Sequence, residues 1–289
     1  MGQGHSRRRA RGPALLKAVR TGDTARVEEV LASCPGAAGY CTIEGLSCVH
    51  VAAATRRADL LEHLLMALRQ AQASPRQHKA WRRSFATTIN QKNVHGQTPL
   101  MLACRSGAAD CVRLLLEAGA DPTLFDGLQQ RTCLHYAALH GWAEAIEALV
   151  DDESVVRAAD GHMQPLREAI IADSQGHHRY IDGREGCGLA PLHLAATHGH
   201  LAAVKTLLKW GASIAVRCNT SYGAGSSSSV PWTPHSTPLH YAAAGGRCRV
   251  VYALLQAAAE RQRDDPHTHD VRVLVDFRAT ACAWSAPST

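Results

Sequence analysis

Several features that mark other classes of protein are scarce or missing in this 289-residue sequence. Aromatic residues make up only 5% of it, so small aliphatic side chains must build the core, as in helices that pack closely. The longest nearly apolar run, 250–259, is about half of the ~20 residues that a membrane-spanning helix needs. A net charge of +6 is modest, and we do not take it as a sign of nucleic-acid binding. No secretory signal is recognisable in the first twelve residues, which predicts a cytoplasmic protein.

The motifs of common catalytic and metal sites are also missing. The ten cysteines form no C-x-x-C pair, and the patterns H-E-x-x-H, G-x-S-x-G and G-x-x-x-x-G-K-[ST] do not occur. Most cysteines stand beside apolar residues, where a free thiol packs as a small hydrophobic group. We therefore expect no catalytic residue, no metal and no cofactor.

One stretch, residues 97–122, carries the pattern on which the chain is organised: QTPLMLACRSGAADCVRLLLEAGADP. Thr98 is suited to begin a short helix because its hydroxyl can accept a hydrogen bond from a backbone N–H, and Pro99 fits the first turn. Leu115 and its apolar neighbours recur at helical spacing in a second helix, and Gly119 follows where a left-handed cap favours glycine. The stretch resembles one ankyrin repeat.

The same pattern recurs along the chain. The next copy begins at Thr132, 34 positions after Thr98 (132 − 98), about the period of such a repeat. Other copies begin at Ser47, Ala190 and Thr237, and residues 15–31 resemble an N-terminal cap. Helices this short are marginal alone and must stack on their neighbours. We predict an all-α ankyrin-repeat solenoid of about five to six helix-turn-helix repeats with long inter-repeat insertions.

The spacing of the copies also predicts the domain organisation. Residues 1–12 are expected to be a disordered basic tail, 13–258 the ankyrin-repeat domain and 259–289 a divergent C-terminal tail. The distance between copies exceeds one repeat period at three places. We predict insertions there, emerging as loops at about 69–92, 151–182 and 217–234.

Four histidines occupy the same position in different copies: His50, His135, His193 and His240. A repeated position spaces its side chains along the stack, whereas metal ligands must converge on one point. We predict that these imidazoles hydrogen-bond the threonine hydroxyl and backbone groups of adjoining turns.

The first six residues, MGQGHS, match the N-myristoylation pattern, with Gly2 as the acylated residue. One acyl chain binds membranes only marginally. Arg7, Arg8, Arg9 and Arg11 add attraction to an anionic lipid surface. We predict a peripheral location on the inner face of the plasma membrane. The alternative is a basic tail that matches the motif by chance.

Some positions at the turn tips and at the ends of the first helices differ between copies. Their side chains are not needed to pack the core, and we predict that they bind a protein partner. Arginine offers stacking and forked hydrogen bonds, which favours Arg105 and Arg131 as the dominant contacts. The alternative is an ordinary solvated face. The predicted partner-binding residues are Val94, His95, Gln97, Arg105, Ser106, Leu128, Gln129, Arg131, Leu139, His140, Thr197 and His198.

Between residues 96 and 255 the chain resembles the ankyrin half of the plant ankyrin–RING E3 ubiquitin ligases, in segments that include QTPLMLAC, DCVRLLLEAGAD, FDGLQQRTCLHYAALHG and APLHLAATHGH. The resemblance implies that the repeats recruit substrates or receptor kinases. It also implies a C-terminal RING finger that binds the ubiquitin-conjugating enzyme through two zinc ions. After Leu255 only Cys282 remains of the cysteines, so the eight zinc ligands of a RING cannot be assembled here.

We therefore predict a lipid-anchored protein-interaction scaffold that resembles the substrate-recruiting half of such a ligase. Whether it serves an enzyme stays open, because the chain has no catalytic motif of its own. One alternative is a ubiquitin ligase whose RING domain is missing from this sequence. Another, less favoured, is a nucleic-acid-associated ankyrin protein that uses the basic stretch 76–83.

Overall fold

The computed structural model describes residues 3–73, 85–151, 155–157, 163–173, 176–218 and 236–264. Within these ranges most of the chain forms six successive helix pairs. They are α1 (Gln3–Thr21) with α2 (Thr24–Ser33), α3 (Cys48–Ala54) with α4 (Ala58–Ala73), α6 (Pro99–Ser106) with α7 (Ala109–Glu117), α8 (Cys133–His140) with α9 (Ala143–Val150), α10 (Pro191–His198) with α11 (Leu201–Lys209), and α12 (Pro238–Ala244) with α13 (Cys248–Asp264). A short helix, α5 (Phe85–Ile89), precedes α6. The predicted all-α repeat architecture is confirmed.

Helix α6 shows how the sequence sets the ends of a repeat helix. The Thr98 hydroxyl accepts a hydrogen bond from the Met101 N–H at 3.3 Å, and Pro99 occupies the first turn. At the other end Gly107 adopts a φ of 76°, a left-handed conformation that costs little only for glycine. The helix therefore begins where the sequence predicts, and glycine ends it.

The core consists of aliphatic side chains from both helices of each pair. The chain divides into two compact units, residues 1–137 and 138–289, where we predicted a single domain. Fully buried side chains include Leu60, Leu100 and Leu115 in the first unit and Ile146 and Leu149 in the second. Burying each of them stabilises the fold by roughly 1.5–3 kcal/mol.

Helices extend into both predicted tails. Helix α1 begins at Gln3 and so includes most of residues 1–12, where we predicted disorder. Arginine and alanine favour helices, and the Arg11 Nη1 donates a hydrogen bond to the Ser33 carbonyl at 3.1 Å. At the other end α13 continues to Asp264, past the predicted boundary at 258. Residues 265–289 lie outside the described ranges.

The predicted insertions are more ordered than loops. Part of 69–92 belongs to α4 and α5. Within 151–182 the chain forms two antiparallel hairpins, from strands β1 (Val155–Arg157) and β2 (Met163–Pro165), and β3 (Ile170–Asp173) and β4 (Gly176–Arg179). The Cα partners pair Val156 with Gln164 and Ile171 with His178. Of 217–234 only the first two residues are described. None of the described helices is both long and apolar enough to cross a membrane.

Candidate partner-binding surface

The turns between repeats in the first unit are short hairpins that hydrogen-bond one another. The Val94 N–H donates to the Glu44 carbonyl at 2.9 Å, and the Gly127 N–H donates to the His95 carbonyl at 3.1 Å. Each hydrogen bond joins the tip of one hairpin to the tip of the next. The tips therefore form a continuous edge held by backbone contacts.

Two glycines permit this close approach. Gly96 has a φ of 73° and lies against Gly127, and a Cβ added to Gly96 would stand 2.1 Å from the Gly127 nitrogen. That distance is far below a van der Waals contact, and the obstructing atom is backbone. The sequence pattern marked both turns, but the contact between them follows only from the stacking.

Each of these three hairpins exposes one large apolar side chain at its tip. Val94 and Leu128 are 64% and 71% exposed, and Ile43 is fully exposed. We call Ile43, Val94 and Leu128 the tip row. The sequence analysis found Val94 and Leu128 but missed Ile43. The similarity of Ile43-Glu44-Gly45 to Val94-His95-Gly96 was the signal that could have found it. His95 and Gln129 are also exposed and adjoin the tip row.

Gln97 does not belong to this surface, which corrects its assignment to the exposed turn. Its side chain is only 7% exposed, and its Nε2 donates to the Tyr136 hydroxyl at 2.8 Å. That hydroxyl donates to the Asp126 Oδ2 at 2.6 Å. Burial, with this hydrogen bond to the carboxylate, raises the pKa of Tyr136 to about 12. Gln97 thus stabilises the fold by joining two repeats.

The other predicted residues of the first unit separate into exposed and bonded groups. Arg105 is exposed at the end of α6. The neighbouring Ser106 hydroxyl is half-buried and lies 3.1 Å from the Ala53 carbonyl, so it links two repeats. Arg131 is half-buried, and its backbone N–H donates to Asp126 at 3.2 Å. Arg105 is therefore the better placed of the two predicted arginines.

The remaining four predicted residues lie in the second unit. His140 and His198 are exposed at the ends of α8 and α10. Leu139 and Thr197 are half-buried, and their carbonyls accept hydrogen bonds from the next repeat. The donors are the His200 Nε2 at 3.1 Å and the Arg247 Nε at 3.2 Å. These two contacts were not predicted, because nothing local in the sequence marks them.

The repeated histidines hydrogen-bond as predicted. In three repeats the Nδ1 lies 2.7–2.9 Å from the hydroxyl of the N-cap residue; the pairs are Ser47 with His50, Thr132 with His135, and Thr237 with His240. In the fourth, His193 Nδ1 accepts from the Ala190 N–H at 3.2 Å. Across repeats the Nε2 of His50 meets the Gln97 carbonyl, and that of His193 meets the Ser236 carbonyl. Within the described ranges no group of three or more His, Cys, Asp or Glu residues is arranged for a metal ion.

Two predicted features lie outside the described residues. They are the acylation candidate Gly2 and the whole basic stretch 76–83. The structure therefore neither supports nor contradicts them.

Comparison with known proteins gives concordant matches. The family model described as "Ankyrin repeats" matches residues 15–126, 125–218 and 158–265. The E3 ubiquitin-protein ligase XB3 of Oryza sativa subsp. japonica is 33% identical over 210 residues, which cover 72% of this chain and 40% of XB3. The E3 ubiquitin-protein ligase XBAT32 of Arabidopsis thaliana is 30% identical, over 71% of this chain and 37% of the relative. The chain thus spans about two fifths of the length of these relatives.

The solved structures agree on the fold. The crystal structure of the human ASB11 ankyrin repeat domain matches with a TM-score of 0.54 and 24% identity, covering 84% of this chain and 82% of that one. This match shows the fold alone, and the ligase relatives confirm the family resemblance that the sequence predicts.

Proposed function

This chain belongs to the ankyrin-repeat family, and on that premise we propose that it is a lipid-anchored scaffold that recruits a protein partner for ubiquitination. The observation that carries the proposal is the tip row, where three successive hairpins each expose a large apolar side chain. Apolar side chains that stand together on a surface mark interaction sites.

The hydrogen bonds between the hairpins make the tip row a suitable docking edge. Val94 and Leu128 project from turns whose backbones are joined to the neighbouring tips. A partner that covers them therefore loses little free energy in ordering the surface. His95 and Gln129 are exposed polar residues that adjoin the tip row. Such a polar rim around apolar anchors is the usual composition of a protein interface.

The relatives support the ubiquitination part of the proposal. Both XB3 and XBAT32 are named as E3 ubiquitin-protein ligases, and this chain corresponds to part of each. We propose that the partner is a ubiquitination substrate or a receptor kinase. The transfer of ubiquitin itself would then need a RING domain, supplied by a longer form of the chain or by another subunit.

Replacing Val94 and Leu128 together by serine should abolish capture of the partner. The expected loss is at least tenfold, since each apolar side chain that a partner buries contributes roughly 1.5–3 kcal/mol. Thermal unfolding should change by less than a few degrees, because both side chains are exposed. The measurement is quantitative mass spectrometry of proteins retained from plant extract by the wild-type and variant chains. Met66→Ser is the matched control, as Met66 is 51% exposed on α4, away from the hairpins. An unchanged set of retained proteins in the double variant would contradict the site.

We propose further that acylation at Gly2 holds the chain on the cytoplasmic face of the plasma membrane. The acyl chain is attached to the amino group of that glycine, and the arginines at 7–9 attract anionic lipids. Gly2→Ala should therefore move the protein from the membrane fraction to the supernatant in a flotation assay. The control Gly4→Ala makes the same substitution two residues later and should leave the protein on the membrane. Equal distributions of all three proteins would reject the anchor.

A further inference from the structure

The last two repeats have no acidic residue before Glu260, which lies near the end of α13. From Cys187 to Ala259 the sequence has no Asp or Glu, whereas it has five cations: Lys205, Lys209, Arg217, Arg247 and Arg249. This run lies within the second unit. The cations of this stretch can therefore attract negative charge without competition from carboxylates of the same stretch.

One of these cations stands at a position where it costs stability. The second residue of the second helix is acidic in three earlier repeats, as Asp59 in α4, Asp110 in α7 and Glu144 in α9. An acid there is favoured by the positive end of the helix dipole. The same position holds Ala202 in α11 and Arg249 in α13. A cation at a helix N-terminus is unfavourable, so folding alone does not explain Arg249.

The turn beside Arg249 brings a second arginine and two imidazoles together. Arg247 is exposed but fixed, because its Nε donates to the Thr197 carbonyl at 3.2 Å and its Cδ lies against Gly199. The rings of His198 and His200 are stacked, with centroids 5.9 Å apart and an interplanar angle of 8°. Burial lowers the pKa of His200, and the nearby His198 and Arg247 lower it further. Among the described residues, no carboxylate lies within ion-pair distance of either arginine.

We propose that these four residues, His198, His200, Arg247 and Arg249, which we call the basic edge, bind an acidic segment of a protein partner. The inference rests on the proposed role in protein recognition but uses none of the tip-row residues. The groups come from two successive repeat turns, and this arrangement suits an extended chain of carboxylates. None of the four side chains is Phe, Tyr or Trp, and this favours a protein segment over a single-stranded nucleic acid, whose bases stack on aromatic side chains.

The test titrates the full chain into a fluorescein-labelled polyglutamate peptide and follows fluorescence anisotropy. Affinity should fall steeply as salt rises from about 50 to 200 mM, since exposed charges are screened. Arg249→Glu should weaken binding about fivefold, and the double variant Arg247→Gln with Arg249→Glu more than tenfold. The thermal midpoint of Arg249→Glu should be unchanged or higher, because the acid restores a favourable interaction with the helix dipole.

Arg20→Glu is the matched control, since Arg20 is exposed in the first unit and its reversal changes the net charge equally. It should alter the affinity by less than twofold. Equal weakening by this control would overturn the proposal, as would a lower thermal midpoint for Arg249→Glu. Tighter, Arg249-dependent binding to phosphatidylserine vesicles or to oligothymidylate would also overturn it in favour of another partner class. The Val94 and Leu128 double variant should still bind polyglutamate, so the two proposed sites can fail separately.

Discussion

Acidification from pH 7 to pH 4 is expected to unfold this protein, with about 3 kcal/mol lost for each of two buried histidines. The two are His50 in the first unit and His193 in the second, and neither has an exposed side chain. Burial lowers the pKa of His50 to about 4 and that of His193 to about 3. Because a domain is stabilised by only about 5–15 kcal/mol in total, a loss of this size is decisive.

Burial disfavours the charged form of His50, and the hydrogen bonds of its ring fix the neutral tautomer. Its Nδ1 accepts from the Ser47 backbone N–H at 3.2 Å, so the Nε2 must carry the proton that is donated to the Gln97 carbonyl. A second proton on the Nδ1 would turn this nitrogen from an acceptor into a donor. It would then face the Ser47 N–H, which is also a donor. It would also place a charge in the core without water.

The direction of the pH dependence follows from the two states of each histidine. An unfolded histidine has a pKa near 6.5, whereas the folded pKa of these two is lower. Above pH 6.5 both states are neutral, and the histidines contribute no pH dependence. Below it the unfolded chain binds protons that the folded chain does not, and stability falls until the pH reaches the folded pKa. The free energy of unfolding should therefore decline from pH 6.5 to about 4 through His50 and to about 3 through His193.

Urea denaturation followed by circular dichroism at several pH values between 4 and 8 measures this slope. The part between pH 6.5 and 5 is diagnostic, because most carboxyl groups are still ionised there. His50→Gln should reduce the slope, although it lowers stability at neutral pH. His95→Gln changes an exposed imidazole and should leave the slope as it is. A free energy of unfolding that stays constant from pH 7 to 5 would contradict the burial of neutral imidazoles.

The local part of this histidine network could be predicted from the sequence, and the long-range part could not. Ser47 and His50 are three residues apart, a spacing that puts the hydroxyl and the imidazole on one helical turn. The partner of the Nε2 is 47 residues further on, across an insertion of irregular length. The same limit explains Gln97, whose burial depends on Tyr136, 39 residues away. The next repeat can thus bury a turn residue that its residue type alone would predict to be exposed.

The insertions show a second limit of prediction from the sequence. Repeat spacing gives the excess length of 151–182 but carries no information about its conformation. The structure forms strands there, from Val155 to Arg179, with no hydrophobic alternation strong enough to mark them in the sequence. The tip row was partly found because turn chemistry is local, and Arg247 was missed because its acceptor, the Thr197 carbonyl, belongs to another repeat.

Leu115→Ala is expected to reduce the free energy of unfolding by about 2–5 kcal/mol. The Leu115 side chain is fully buried on α7, so its truncation leaves a cavity that surrounding helices can fill only in part. Helix α7 packs on α6 of its own repeat and on α4 of the preceding one. The cavity therefore weakens an interface between repeats as well as a single helix.

Chemical denaturation of the full chain gives the size of this loss, and amide hydrogen exchange shows how far it extends. Stability in a repeat array is shared through the interfaces of neighbours. Amides of α4 and α6 should therefore lose protection together with those of α7. Leu128→Ala is the matched control, since Leu128 is 71% exposed and the same truncation there should change stability by less than about 0.5 kcal/mol. If Leu115→Ala costs no more than this control, Leu115 is not part of the core. If only α7 loses protection, the interface with α4 contributes nothing to its stability.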